Sequence, residues 1–253
     1  MKLPVDPAAL VGFCLVLVRA TAWVALCPPF NSPSIPKRVR GGFAVAVSFA
    51  LARSVGAGVS DLSSSGLVAA LLTEVLAGLG LGAFVFILFA ALQAAGELLD
   101  LQVGFSLGGV IDPLSGNMSA PIGRLQQLLG IAILFSINGH LLVLRAFVES
   151  VHAAPLGKID TAHLAEGLTR LLGVFLAAAI EIALPIPTAL FCTEVALGLL
   201  GKAAPQLNIL VIGFAVKTMI AFTLLGATLV MLPETTGSLL TRAIRAAGGI
   251  FTG

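Results

Sequence analysis

Residues Gly66–Pro121 read GLVAALLTEVLAGLGLGAFVFILFAALQAAGELLDLQVGFSLGGVIDPLSGNMSAP. The part from Leu67 to Leu92 is one apolar run, longer than the ~20 residues a helix needs to cross ~30 Å of hydrocarbon. From Gly96 onward the chain turns polar and glycine-rich, where a plain bundle would place another spanning helix or a short turn. Irregular backbone near membrane depth is tolerated only when buried in protein or beside an aqueous path. The stretch therefore describes a helical membrane protein and marks a place for a pore, a gate or a site.

The rest of the chain agrees with that class. It has 253 residues, 58% of them apolar and 10% charged, with a mean hydropathy of +1.08. Soluble domains average about 25% charged residues. Apolar segments run over Leu10–Phe30, Gly42–Val59, Leu67–Leu92, Leu125–Val148, Leu168–Leu200 and Ile209–Leu232. Runs of helical length without long alternating strands favour helices over a barrel. The expected fold is an all-α integral membrane protein of about six apolar helical segments, with an ordered loop after the third. No soluble domain fits between them, so residues 1–253 form a single domain.

A net charge of +2 without a basic, aromatic-laced stripe excludes a nucleic-acid partner. Tyr is absent and Trp23 is alone, so the interfacial aromatic belts are thin and much helical surface faces protein. Cys14, Cys27 and Cys192 lie in apolar runs without paired spacing and read as small buried hydrophobes. The N-terminus reads as a retained first helix rather than a cleaved signal: Arg19 interrupts the apolar stretch, and Leu26 is too large for the residue before a lipoprotein cut.

The first segment ends at CPPFNSPSIP (Cys27–Pro36), where prolines forbid helix continuation. Lys37, Arg38 and Arg40 follow, and the positive-inside rule would put this turn in the cytoplasm. Lys158, Arg170, Arg242 and Arg245 fall on the opposite side, so the orientation stays open. Pro185 and Pro187 divide the fifth segment into two helical pieces. GKAAPQLN (Gly201–Asn208) reads as a sharp turn, with Gly201 ending one helix and Pro205 preventing its resumption, which makes a C-terminal helical hairpin. Beyond Pro233 the tail places Leu240, Ile244, Ala247 and Phe251 on one face and Arg242 and Arg245 on the other, an amphipathic helix.

Arg19, Glu74, Glu181, Glu194 and Lys217 lie inside apolar segments, where each costs ~2.5–3.5 kcal/mol on insertion scales. Internal ion pairs, a proton or ion pathway, and helices sitting partly outside the bilayer in a larger assembly all account for them. Small residues at helix-packing spacing, such as Gly78 and Gly82, and Gly104 and Gly108, favour assembly. Glu97 and Asp100, three residues apart at the end of the third segment, are either a solvated helix end or a polar rim with pore or subunit contacts.

Enzyme motifs fail on context. GFSLG (Gly104–Gly108) matches a nucleophile elbow, but an apolar helix rather than a strand precedes Ser106, and His140, His152 and His163 form no triad pattern. GLGLG lacks a βαβ unit, and there is no phosphate-binding loop or metal-ligand spacing. The chain is read as a non-enzyme without cofactor or metal.

Several motifs, in order, resemble the FliR/SctT-like family of bacterial type III secretion export-gate proteins over nearly the full length. They are PPF (Pro28–Phe30), SIPKRVR (Ser34–Arg40), GELLD (Gly96–Asp100), GFS (Gly104–Ser106) and DP (Asp112–Pro113). NGH (Asn138–His140), Ala183–Pro185, Leu197–Gly198, PQLN (Pro205–Asn208), Gly213 and Lys217 complete the set. Some relatives carry a second His where this chain has Leu141.

The resemblance implies an inner-membrane gate built with FliP-like and FliQ-like subunits, and with FlhB-like and FlhA-like export components. Unfolded flagellar proteins would pass through it. It implies a FliP-like part (1–150), a FliQ-like hairpin (168–235) and the tail (236–253). The loop at about 103–121 would be a plug, carried by Phe105, Ser106, Leu107, Gly108, Gly109, Val110 and Ile111. A virulence-injectisome gate subunit is the near alternative. A small proton-coupled transporter is the distant one; it would show an inverted repeat of its halves, which the sequence lacks.

Overall fold

A computed structural model describes residues 7–32, 35–52, 64–105, 120–153, 156–157, 161–206 and 208–251. Every regular element among them is a helix. These are α1 (Pro7–Leu26), α2 (Lys37–Ala52), α3 (Ser64–Val103), α4 (Pro121–Ser136), α5 (Gly139–Ala153), α6 (Thr161–Ala183), α7 (Pro185–Ala203) and α8 (Ile209–Phe251).

Proline sets several boundaries. Pro7, Pro121 and Pro185 each open a helix, where a missing N–H is no loss and φ is already helical. Pro28 and Pro29 follow the end of α1, and Arg40 holds the turn beyond them. Its guanidinium donates to the Ile35 carbonyl (3.1 Å), Asn31 Oδ1 (2.5 Å) and the Ser32 carbonyl (2.6 Å). The fifth apolar segment is two helices, α6 and α7, meeting at Leu184, as its prolines imply.

Four helical stretches are long and apolar enough to cross a bilayer: Ala9–Leu26, Ser65–Val103, Pro185–Ala203 and Ile209–Ala227. The fourth expected segment is broken at Ile137–Asn138 into α4 and α5. Asn138 turns the chain there with φ +56°, a conformation asparagine tolerates better than most residues. Counted together, the bent pair brings the number of spans to five. The second expected segment is described as far as Ala52, in the 16 residues of α2, and its remainder, residues 53–59, lies outside the described residues. The 40 residues of α3 make about 60 Å of helix, roughly twice the hydrocarbon thickness.

Two other expectations change. Gly201 does not end its helix, since α7 continues to Ala203. Its missing Cβ leaves the place taken by the Ile209 side chain. The tail is helical, but it continues α8 through Pro233 instead of starting afresh.

Two compact units result, and they do not follow chain order. One comprises Met1–Leu88, Asn138–Gly173 and Ser238–Gly253; the other comprises Phe89–Ile137 and Val174–Gly237. In the first, α1 packs on α2, and Trp23 stacks on Phe147 at 4.7 Å between ring centroids. In the second, Leu99 and Val103 of α3 join Ile122, Ile186, Leu190, Ala221 and Leu225 in one apolar cluster. The α3 span is 61% buried within the protein, against 11% for α7 and 17% for the α8 span. The α7–α8 hairpin thus turns most of its apolar surface outward.

Candidate functional site

The root of the glycine-rich segment is built by Asp100. Its main-chain carbonyl accepts the N–H groups of Gly104 (3.1 Å) and Phe105 (2.9 Å), which closes α3. Gly104 takes φ +99° there, a backbone conformation that glycine adopts without a Cβ penalty. The Asp100 side chain reaches the other end of the segment. Oδ1 accepts the Ile122 N–H (3.1 Å) and Oδ2 accepts the Gly123 N–H (2.9 Å). These are the second and third residues of α4, whose own N-cap, Ala120, offers no side-chain acceptor. Asp100 supplies from 22 residues upstream the bonds that a local Ser or Asp would make.

Close helix approach makes this reach possible. A Cβ on Gly96 would lie 2.6 Å from the Gly123 Cα, and one on Gly123 would lie 2.8 Å from Glu97 Cγ. The GELLD motif therefore has a geometric reading. Gly96 and Asp100, one turn apart, face the start of α4, the first by absence of a side chain and the second by hydrogen bonding. Ile122, Gly123, Gln126 and Gly130 form the buried face of α4, and Gln126 Oε1 makes no hydrogen bond there.

Glu97 and Asp100 share a spacing but not an environment. Asp100 is buried and fully engaged with backbone, whereas Glu97 is exposed and accepts from Gln93 Nε2 at 2.8 Å. Within the single chain Asp100 caps the start of α4, and Glu97 is the solvated one of the two.

Phe105, the first residue expected in the plug, is half-buried against the apolar cluster of its unit. Its ring centroid lies 6.0 Å from that of Phe214, edge to face, and 6.3 Å from that of Phe222. Ser106, Leu107, Gly108, Gly109, Val110 and Ile111 lie outside the described residues. A groove of about 620 Å³ adjoins this root, lined by Val103, Gly104, Leu197, Gly213, Phe214 and Lys217 among others.

Four of the five intramembrane charges meet in two pairs. Arg19 donates from Nε to Glu74 Oε2 (2.5 Å) and from Nη2 to Glu74 Oε1 (3.0 Å). Its Nη1 donates to the Ser150 carbonyl (2.9 Å), and Glu74 Oε1 also accepts the Gly157 N–H (2.9 Å). Lys217 Nζ donates to Glu194 Oε1 at 2.9 Å across the α7–α8 hairpin. Glu181 lies in α6, and its side chain is outside the described residues.

Sequence reading did not single out Ser150, Gly157, Ile122 or Gly123 as partners, since backbone groups carry no residue signature. One signal existed. Ala120–Pro121 starts a helix without a capping side chain, so the acceptor had to come from elsewhere. A 40-residue helix leading into GFSLG also removes the strand that a nucleophile elbow requires.

Residues 10–243 match the family model of the bacterial export proteins, family 1. The chain belongs to that family. The flagellar biosynthetic protein FliR of Escherichia coli K12 is 33% identical to it over 214 residues, covering 83% of this chain and 81% of that protein. FliR of Pectobacterium carotovorum is 32% identical over 219 residues, 85% and 83% of the two chains. The Yop proteins translocation protein T of Yersinia pestis is 30% identical over 155 residues, 60% and 59%. These relatives make the chain a component of a type III export apparatus, with helices long and apolar enough to cross a membrane.

Proposed function

We propose that this protein is a core subunit of the flagellar type III export gate in the bacterial inner membrane. It joins FliP-like and FliQ-like subunits, and FlhB-like and FlhA-like components, in the channel that passes unfolded flagellar proteins. The supporting observation is coverage: FliR relatives align along more than four-fifths of the chain, the Yop translocation relative along 60%. That difference favours the flagellar system over the injectisome.

Physical features support membership in an assembly. The apolar surface of α7 and α8 is mostly exposed in the single chain, and such surface needs lipid or partner helices. About 60 Å of helix in α3 suits a gate that reaches beyond the bilayer. Residues Phe105–Ile111 act as the plug: aliphatic side chains among glycines can close a narrow pore by apolar contact and dewetting, and a glycine-rich sequence can yield to a passing chain.

Two measurements test the proposal. After mild detergent extraction the protein should co-purify with its FliP-like and FliQ-like neighbours; a monodisperse, protease-resistant monomer without affinity for them removes the assembly reading. Deletion of Gly108–Ile111 should leave assembly intact and make the resting gate leak ions. Intact assembly with unaltered resting conductance removes the plug.

A further inference from the structure

The α1–α2 hairpin carries positive charge that nothing within it answers. From Pro7 to Ala52 the chain holds Arg19, Lys37, Arg38 and Arg40 and no Asp or Glu. Arg19 is neutralised by Glu74, and the Arg40 guanidinium is spent on the Ile35 and Ser32 carbonyls and on Asn31 Oδ1. Lys37 and Arg38 are exposed and make no ion pair among the described residues. They begin α2, where the peptide dipoles already present positive charge and disfavour a cation. Two unanswered cations there cost the isolated chain stability, and an anion supplied from outside removes the cost.

The side of α2 that follows them indicates which anion. Arg38, Gly42, Val45 and Phe49 succeed one another on one face and are all exposed, Phe49 by 67%. No exposed residue from Val39 to Ala50 is polar. Ala44, Ser48 and Leu51 are buried instead, and α2 packs on α1. A small soluble anion would answer the cations and leave the apolar face in water. A phospholipid answers both, with phosphate at the cationic head of the face and hydrocarbon along the rest. Phe49 lies about 18 Å along the helix axis from Lys37, within the ~30 Å of the hydrocarbon core.

We propose that Lys37 and Arg38 form a headgroup site for an anionic phospholipid, with the outward face of α2 against its acyl chains. The site goes beyond the export assignment and is independent of the plug. It also directs the α1–α2 turn to the cytoplasmic leaflet, whose anionic lipids attract basic segments beside a membrane span.

The test uses the full chain, alone and in the assembly co-purified in mild detergent. Native mass spectrometry measures the dissociation constants for phosphatidylglycerol and phosphatidylcholine, and inorganic phosphate is added as a competitor. Phosphatidylglycerol should bind more tightly than phosphatidylcholine, and inorganic phosphate at the same concentration should not displace it. Lys37→Gln and Arg38→Gln should each weaken phosphatidylglycerol binding roughly fivefold, and together about 25-fold. Arg38→Lys keeps the charge and should bind like wild type. Arg170→Gln, which removes an exposed cation of α6, should change nothing. Equal affinity for the two lipids overturns the proposal, as do Gln variants that bind like wild type. Displacement by inorganic phosphate reduces the site to an anion site without a lipid. A loss seen in the chain alone but not in the assembly means that a partner subunit covers the patch, and this too overturns it. Gln variants that lose assembly, with no recovery on added phosphatidylglycerol, would show that the two residues serve the fold and not a lipid.

Discussion

Arg19 and Glu74 form a doubly hydrogen-bonded ion pair in which neither side chain touches solvent. The remaining hydrogen-bonding capacity is spent on backbone, the Ser150 carbonyl and the Gly157 N–H. A buried pair is tolerated when its geometry is good and its leftover donors and acceptors are satisfied. The network ties α1, α3, α5 and the turn at 156–157 into one unit.

Removing one partner should therefore be severe. Arg19→Met or Glu74→Gln alone leaves a buried charge unpaired and should destabilise the protein by ~3–5 kcal/mol. The double replacement Arg19→Met with Glu74→Leu should recover much of that loss. Thermal unfolding in detergent, followed by light scattering, measures both; equal losses in single and double variants would contradict the pairing account.

Two helical glycines should respond with opposite signs to alanine. A Cβ on Gly78 would strike the Arg19 carbonyl and approach Ala22 Cβ to 2.8 Å, whereas nothing lies within 4 Å of one on Gly173. Gly78→Ala should cost ~1–3 kcal/mol by forcing α1 from α3. Gly173→Ala should gain ~0.5–1 kcal/mol from helix propensity. Melting temperatures of the two variants, measured together, decide it.

Lys217 and Glu194 pair at 2.9 Å, but the Glu194 side chain is 63% exposed. In the isolated chain the pair should contribute only ~0.2–1 kcal/mol. Covered by lipid or by a partner helix, the same pair loses that screening and its single variants should impair assembly. A charge swap, Glu194→Lys with Lys217→Glu, should restore part of it. Yield of the co-purified complex is the measurement; single variants that assemble like wild type would show that the pair stays wet.

Phe105→Ala should destabilise the unit containing α7 and α8 by about 1–3 kcal/mol, the sum of two aromatic contacts. Phe105→Leu should retain most of the packing. If Phe105 serves only a gate, neither change will move the melting temperature.

At the α4–α5 bend, Asn138→Gly should be nearly neutral, because glycine accepts φ +56°. Asn138→Ala should cost ~1–2 kcal/mol. Identical stability in the two variants would mean that the bend relaxes to another conformation.

The sequence by itself determined the class of protein, the main helices and their proline boundaries. Those features are local: apolar length and missing backbone donors act on the residues that carry them. The break at Leu184 was legible for that reason. The break at Asn138 was not, since a single αL residue leaves the apolar run uninterrupted. Which charges neutralise one another, and that Asp100 meets the start of a helix, came only with the tertiary structure. Arg19 meets Glu74 across 55 residues and Asp100 meets Gly123 across 23. Their partners are chosen by how closely glycine lets two helices approach, and spacing along the chain does not record that distance.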